Sequence, residues 1–243
     1  MLKALTQNLT GFDEIHLCTP RILSSEEYEP IASFPIHFHL DKEVLDIPVN
    51  KFKYRPPWVY QQMIKLFQNV TKNNWYYVCD CDVTLTNKLD MFNETGHPIW
   101  HYGWPQDTQP YYNFNKAMFG FGNELGHTAL CDMGFYGKSY VKKLLEYTEY
   151  SSVGHFINES FKVINKDCYP SEADIYMNYM ALKHPDIYDV QHLELKAIGR
   201  EHKNPEQHVW SAEDMKKEID QAKSEGFKAV ACHSWNDLQQ YPW

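Results

Sequence analysis

Short apolar runs alternate with amphipathic stretches along this chain. Trp75 to Cys79 is aromatic, apolar and β-branched, which is typical of a buried strand. Apolar side chains at helical spacing predict a helix that begins at Pro56-Pro57: Val59, Met63, Leu66, Phe67 and Val70. The same patterns predict strands over 14–18, 34–40, 190–195 and 227–232, and helices over 139–147, 171–183 and 211–224. Strands that alternate with helices indicate an α/β layered fold.

One long stretch departs from this alternation. Residues 93–126 are rich in Pro, Gly, Asn and aromatic side chains and have only weak periodicity, which predicts an irregular loop region. The chain contains no internal repeat, low-complexity run or Gly/Ser linker. We therefore expect the 243 residues to form a single domain over 1–243.

Composition and charge narrow the range of partners. The formal net charge is -9, which argues against a general binder of nucleic acid or of anionic membranes. No apolar stretch approaches the length of a membrane span, and the first residues lack a secretory signal pattern. The six cysteines match no zinc-ligand spacing, so we expect reduced thiols in a cytoplasmic protein.

The motif Asp80-Cys81-Asp82 carries the most chemistry. Two carboxylates that directly follow an apolar strand are expected at the carboxyl end of a sheet, where open α/β folds bind ligands. Neighbouring carboxylates repel unless they share a cation or a proton. Mg²⁺ or Mn²⁺ bridging to phosphate oxygens would meet that need. The alternative is a turn in which one Asp caps the next element.

Two families share this motif. Asp80 to Leu85 (DCDVTL) resembles the DxDx[TV]L motif of haloacid-dehalogenase-type phosphatases. That resemblance implies a Mg²⁺-dependent phosphatase in which Asp80 is the nucleophile and Asp82 the general acid/base. About eighty residues precede the motif here, whereas it normally follows the first strand of that fold, and the family's later acidic pair is missing.

The second resemblance covers nearly the whole chain. Its motifs are Thr19-Pro20-Arg21 after the first strand, PWVYQQMIKL from Pro57, the strand ending in Asp80-Cys81-Asp82, SEADIY from Ser171, and a late histidine, His233. In order and spacing they resemble small nucleotide-sugar-dependent glycosyltransferases of the GT-A fold, particularly short bacterial and viral members. The Gly and Lys that often follow the late histidine are absent here. A sugar-binding module without turnover is a third possibility, from a non-enzyme class.

This resemblance implies a single GT-A-like, Rossmann-like domain with a mixed central sheet flanked by helices. It implies a metal-dependent glycosyltransferase that moves a sugar from a nucleoside-diphosphate sugar, a UDP-sugar by preference, to a glycan hydroxyl. Asp80, Asp82 and His233 would hold Mn²⁺ or Mg²⁺ against the departing diphosphate.

The resemblance also implies which residues bind the donor. Thr19, Pro20 and Arg21 would contact the base and ribose. Arg55 and Lys65 would bind the diphosphate or sugar, Gln62 would bind sugar or ribose hydroxyls, and Asp80 would contact metal or ribose. For Lys65 and Gln62 the alternative is a position on the solvated face of the predicted helix.

An inverting transfer needs a general base for the acceptor hydroxyl. The resemblance points to Asp174, with Glu172 as the second candidate; Ser171 and Asp174 also have the spacing of a helix cap. A retaining mechanism remains open.

We expect the acceptor to approach over 170–176 and over an aromatic set in 95–126, namely Trp100, Tyr102, Trp104, Tyr111, Tyr112 and Phe114. The alternative for these rings is packing over a core, and Asp132 is either a sugar contact or a turn residue.

Overall fold

A computed structural model describes residues 2–23, 35–103, 109–198 and 212–232. Its helices are α1 (Leu2–Asn8), α2 (Asp41–Val44), α3 (Pro56–Phe67), α4 (Gln109–Phe119), α5 (Lys138–Tyr147), α6 (Val153–Val163), α7 (Glu172–Lys183) and α8 (Ala212–Ser224). Its strands are β1 (Ile15–Thr19), β2 (Ile36–Leu40), β3 (Trp75–Cys79), β4 (Val83–Leu85), β5 (Ile99–Tyr102), β6 (Met133–Gly137), β7 (Asp189–His192), β8 (Leu195–Ile198) and β9 (Ala229–Cys232). The prediction of a mixed α/β fold is confirmed, and β3 has the predicted bounds.

The described strands pair in small groups. β1 pairs with β2 and β5 with β7 in parallel, whereas β3 pairs with β6 antiparallel. β9 lies between β4 and β8, antiparallel to the first and parallel to the second. Both strand directions therefore occur, as expected, but the described ladders form four small sheets in place of the one continuous central sheet that we expected.

Helix α3 begins where the two prolines predict. Proline fits the first turn of a helix, because its missing N–H has no partner there in any case. Val59, Met63 and Leu66 recur on one face, and each is at most 1% exposed. They join a core that also contains residues of α4, α6 and α7. This packing fixes the orientation of α3, so its opposite face is presented to the site described below.

The prediction of an irregular region over 93–126 is wrong. That range contains β5 and α4, and its aromatic side chains build the core. Trp100 is fully buried and its indole N–H donates to the Ala129 carbonyl at 3.0 Å. Phe114 is fully buried as well. Tyr111, Phe114 and Met118 do recur at helical spacing, but the Pro, Gly and Asn residues around them obscure the period.

Helix α7 is buried throughout its first nine residues, Glu172 to Met180. The Ser171 side chain accepts the Asp174 backbone N–H at 3.3 Å, so the predicted cap is present. A helix that is buried all round shows almost no amphipathic pattern. Its acidic first turn, Glu172 and Asp174, is therefore enclosed by protein. Among the described residues, no helix is long and apolar enough to cross a membrane.

His101 on β5 gives the fold a defined response to acid. Burial lowers the pKa of its imidazole to about 4, whereas in an unfolded chain the imidazole has its ordinary pKa of 6.5. The unfolded state therefore takes up this proton first as the pH falls, and stability is lost between about pH 6.5 and 4. We expect His101→Gln to reduce the loss of unfolding free energy over this interval by about 3 kcal/mol, measured by urea titration at several pH values. An unchanged pH slope in the variant would show that His101 is protonated in the folded protein.

Candidate functional site

A large open cleft of about 2110 Å³ runs along α3, past the ends of β1 and β3. Residues predicted to act in function line it, and these are Thr19, Pro20, Arg55, Lys65, Asp80, Asp82, Tyr111 and Asp132. The volume exceeds what a single small ligand needs, so the cleft has room for more than one sugar-sized group.

The Asp80–Asp82 segment is a tight, anchored turn. The Asp80 backbone N–H donates to the Asp132 carbonyl at 2.9 Å, which continues the β3–β6 pairing by one residue. The Val83 N–H donates back to the Asp80 carbonyl at 3.1 Å, and the Cys232 N–H donates to the Asp82 carbonyl at 2.8 Å. Because directly paired residues of an antiparallel ladder project to the same face, Asp80 and Asp132 are neighbours at the sheet end. The carboxylates therefore lie on a backbone that is held on both sides.

Lys65 of α3 is the central charge of the site. Its Nζ lies 2.7 Å from Asp80 Oδ1 and 3.3 Å from Glu172 Oε1, and its side chain is only 9% exposed. Gln61, one turn earlier on the same helix, donates to the same Asp80 oxygen at 3.3 Å. One buried ammonium thus joins three elements: α3, the end of β3 and the start of α7.

The electrostatics of this cluster follow from burial and pairing. Burial by itself would lower the pKa of Lys65, but the carboxylates of Asp80 and Glu172 outweigh it and raise that pKa, so the ammonium stays charged. Burial raises the pKa of Glu172, with a further contribution from Asp80, and Lys65 opposes both. The second Glu172 oxygen is buried without a hydrogen-bond partner among the described residues.

Several predicted donor-binding residues line the cleft, and two do not. Thr19, Pro20 and Arg55 line the cleft, but Arg21 is exposed and is not among the lining residues. Gln62 is 3% exposed and belongs to the core face of α3, whereas Gln61 lines the cleft. Positions 59, 62, 63 and 66 form one face of the helix, which is buried in the core. Because Gln61 lies off that face, the helical period would have identified it as the glutamine that reaches the cleft.

Asp174 does not reach the cleft, so its predicted role as general base is not supported. Its side chain is fully buried, and Oδ1 accepts the Ala129 N–H at 3.2 Å. Side-chain amides of Asn115 and Asn178 bind its main-chain carbonyl. Burial raises the pKa of its carboxyl to about 7. Glu172 does not line the cleft either. It contacts Lys65, which in turn contacts Asp80.

Of the aromatic residues predicted to contact the acceptor, some line the cleft and others do not. Tyr111 lines the cleft, whereas Trp100 and Phe114 are core residues. Tyr102 packs against the rings of His127 and His192, Tyr112 is half-buried on α4, and Trp104 lies outside the described residues. Only part of the predicted acceptor surface is therefore brought to the site.

The carboxylates that line the cleft are candidate ligands for a hard divalent cation. Asp80, Asp82 and Asp132 supply carboxylate oxygens to the cleft, which is the ligand type that Mg²⁺ and Mn²⁺ prefer. Residues 2–23, 35–103, 109–198 and 212–232 contain no group of three or more His, Cys, Asp or Glu arranged to hold a metal. Because Mg²⁺ is commonly held by one or two carboxylates with water and substrate phosphates, a carboxylate pair fits. His233, the third predicted ligand, lies outside the described residues.

A histidine cluster with one member, His16, in the cleft lining was not predicted. His16 of β1 and His39 of β2 share a 2.8 Å contact between Nδ1 and Nε2, and His37 stacks on His16 with ring centroids 5.0 Å apart. Glu14 Oε1 lies 3.1 Å from His16 Nε2. These side chains meet because the parallel pairing of β1 with β2 places His16 beside His37. The spacing of histidines along the sequence does not reveal which residues of two strands are paired.

Comparison with known proteins adds no relative: no protein-family model matches the chain, and no curated protein matches it in sequence. Functional assignment therefore depends on the geometry of the cleft.

The Lys65 bridge has a measurable consequence for stability. In Lys65→Met, Glu172 becomes a buried carboxylate without a counter-charge, so we expect the unfolding free energy to fall by about 3–5 kcal/mol, measured by chemical denaturation. Adding Glu172→Gln should restore part of that loss. The matched control is Lys162→Met, which breaks an exposed pair with Glu159 and should lower the unfolding free energy far less than Lys65→Met does. Equal losses in the two single variants would contradict the bridging role.

Proposed function

We propose that this protein is a metal-dependent glycosyltransferase of GT-A-like fold that transfers a sugar from a nucleoside-diphosphate sugar to a glycan hydroxyl. One observation carries the proposal: the Asp80–Asp82 turn, anchored at the end of β3, opens into a cleft with room for both donor and acceptor. A UDP-sugar donor and an inverting outcome are parts of the proposal that come from the sequence resemblance, and a cytoplasmic location is a part that comes from the cysteine pattern.

The charge balance of the cluster supports a bound cation. The Lys65 ammonium contacts two carboxylates, those of Asp80 and Glu172, and Asp82 and Asp132 line the same cleft. Neighbouring carboxylates in a partly buried site need further positive charge to remain ionised together. Divalent Mn²⁺ or Mg²⁺ and the donor's diphosphate would supply charges of both signs and complete the site.

Each of the chain's own groups has a distinct part in the proposed reaction. Lys65 and Gln61 hold Oδ1 of Asp80 and so fix the direction of its second oxygen. Asp82 and Asp80 would hold the cation, whose chemistry is Lewis-acid stabilisation of the departing diphosphate. Thr19 and Pro20, at the end of β1, would receive the nucleoside. Glu172 would keep Lys65 charged and in place, as a positioning residue.

The general base is then reassigned within the proposal. Asp132 lines the cleft beside Asp80, whereas Asp174 is enclosed and Glu172 is paired with Lys65. A base must come within hydrogen-bond distance of the hydroxyl that it deprotonates, which requires access to the acceptor. Among the described acidic residues considered for this role, Asp132 meets that requirement.

Removal of Asp82 tests the proposed function. We expect Asp82→Asn to lose at least 100-fold of a Mn²⁺-dependent hydrolysis of UDP-sugars and to lose the thermal stabilisation by UDP with Mn²⁺. Asp186→Asn, a change at an exposed aspartate, is the matched control and should leave both unchanged. Release of phosphate from simple phosphomonoesters with Asp80 as nucleophile, together with no response to nucleotide sugars, would instead establish the phosphatase alternative.

The Asp174→Asn variant tests whether the Asp174 carboxyl has a structural or a catalytic role. We expect Asp174→Asn to keep at least a third of wild-type turnover, because the group has no access to an acceptor. Its raised pKa means that the folded state binds this proton more tightly than the unfolded state, so the wild type loses stability as pH rises from about 4 to 7. The thermal midpoint of the wild type, relative to that of the variant, should therefore fall from pH 5 to pH 8. A loss of turnover of 100-fold or more with intact folding would restore Asp174 as the base.

A further inference from the structure

Arg55, the residue before α3, has a strained backbone. Its φ is 44°, in the left-handed region, where the described chain has only one other non-glycine residue, Glu149. A side chain with a Cβ is disfavoured there, and the following proline favours an extended backbone at this position instead. Tertiary packing must therefore impose the conformation, and such strain is typical of ligand clamps and other functional positions.

The Arg55 guanidinium lies on an aromatic shelf, which we define as Trp58, Tyr111 and Tyr169. Its central carbon is 4.4 Å from the centroid of the Trp58 ring and 6.0 Å from that of Tyr169. Tyr111 stacks with Trp58 at 6.0 Å and 16°, and Tyr169 meets both rings edge-on. The shelf fixes the side chain in one place at the wall of the cleft, and all four residues line that cleft.

The charge of Arg55 has no acidic partner in the part of the chain that the structure describes, where each ion pair involves a lysine or histidine. A guanidinium that stacks on a ring covers one face, but its N–H donors lie in its own plane and still point outward. Two parallel donors of this kind match the two oxygens of a carboxylate or phosphate. The residue is exposed to the cleft and is poised to receive such an oxyanion.

This oxyanion is not expected to be the donor's diphosphate. Arg55 precedes the first residue of α3, whereas Lys65 and its partner Asp80 mark the other end of the helix. Ten residues of α-helix separate the two backbone positions by roughly 15 Å. The cation and the diphosphate of the proposed reaction belong to the Asp80 end of the cleft, which leaves Arg55 for a different part of the bound substrates.

We infer that Arg55 and the aromatic shelf form an acceptor subsite for a sugar ring that bears an acidic group. This inference rests on the proposed function and names its substrate class: the acceptor glycan would present an anionic residue, such as a hexuronic acid or a sugar phosphate. Aromatic side chains supply the apolar surface that suits the C–H face of a sugar, and the guanidinium supplies bidentate recognition of its acid. Neutral sugars would lack the second contact.

Direct binding measurements test this subsite without turnover. Glucuronic acid, glucose 6-phosphate and glucose are titrated against the full chain by ligand-observed NMR. At least one of the two acidic sugars should bind at least tenfold more tightly than glucose, and which of the two does so identifies the source of the oxyanion. Arg55→Gln should abolish this preference, and Arg55→Lys should restore less than half of it, because lysine cannot bind in bidentate fashion. Equal binding of all three sugars by the wild type would overturn the inference.

The controls separate this subsite from the donor site. Lys42→Gln removes another cation of the cleft lining and should leave the preference unchanged. Binding of UDP with Mn²⁺ should change less than twofold in Arg55→Gln and should be lost in Asp82→Asn. If Arg55→Gln weakens UDP binding as strongly as it weakens acidic-sugar binding, Arg55 serves the donor and the inference fails. If UDP does not bind to any variant while the acidic-sugar preference follows Arg55, the proposed transferase fails and the acidic-sugar site stands.

Discussion

The buried ammonium of Lys65 holds the candidate site together. It joins three segments that are far apart in the sequence: α3, the turn after β3 and the start of α7. Each segment contributes one charged side chain to the contact, and the ammonium lies between the two carboxylates. A buried ion pair of this kind contributes little net stability by itself, because desolvation offsets much of the attraction. Its effect is on geometry: without Lys65, the buried Glu172 carboxylate would have no counter-charge. The arrangement thus fixes the direction of Asp80 before any ligand arrives.

The aromatic core explains how these segments are positioned. Trp100 is enclosed by Tyr136 and Tyr176, and the Tyr176 hydroxyl binds both the Gly137 N–H and the Tyr188 hydroxyl. Aromatic rings combine a large apolar area with fixed orientations and a polar tip that can be satisfied. This network links β5, β6 and α7, so the buried first turn of α7 and the end of β6 beside Asp80 have fixed positions. The cleft is therefore built on the core, and β1, which lines it, carries His16 of the histidine cluster.

The cleft has two regions with different electrostatic character. Around Asp80 the carboxylates outnumber the ammonium, which favours cations and the phosphates that accompany them. Around Arg55 a guanidinium is held against rings, which favours an oxyanion on a ring-shaped ligand. A transferase needs two such regions, one for the donor and one for the acceptor, and a simple hydrolase of phosphomonoesters would have no need for the second. In the proposed transferase, the first region would bind the donor and the second the acceptor.

Elements with strong local signals could be predicted from the amino-acid sequence. The β3 strand, the start of α3 at Pro56 and the cap of α7 at Ser171 depend on side-chain period, proline geometry and a local hydrogen bond, so each could be predicted from a few neighbouring residues. The position of Asp80 and Asp82 at a strand end is local in the same sense. The sequence also indicated an α/β class from alternation alone.

Which of the candidate residues share a surface depends on contacts between segments that are distant in the sequence. Glu172 and Asp174 are alike in the sequence, yet one meets Lys65 and the other is enclosed beside Ala129. Gln61 and Gln62 differ only in helical phase, and the aromatic residues of 93–126 became core because β5 and α4 pack inward. Burial and cross-strand register arise from contacts between distant segments, whose energies no local pattern encodes.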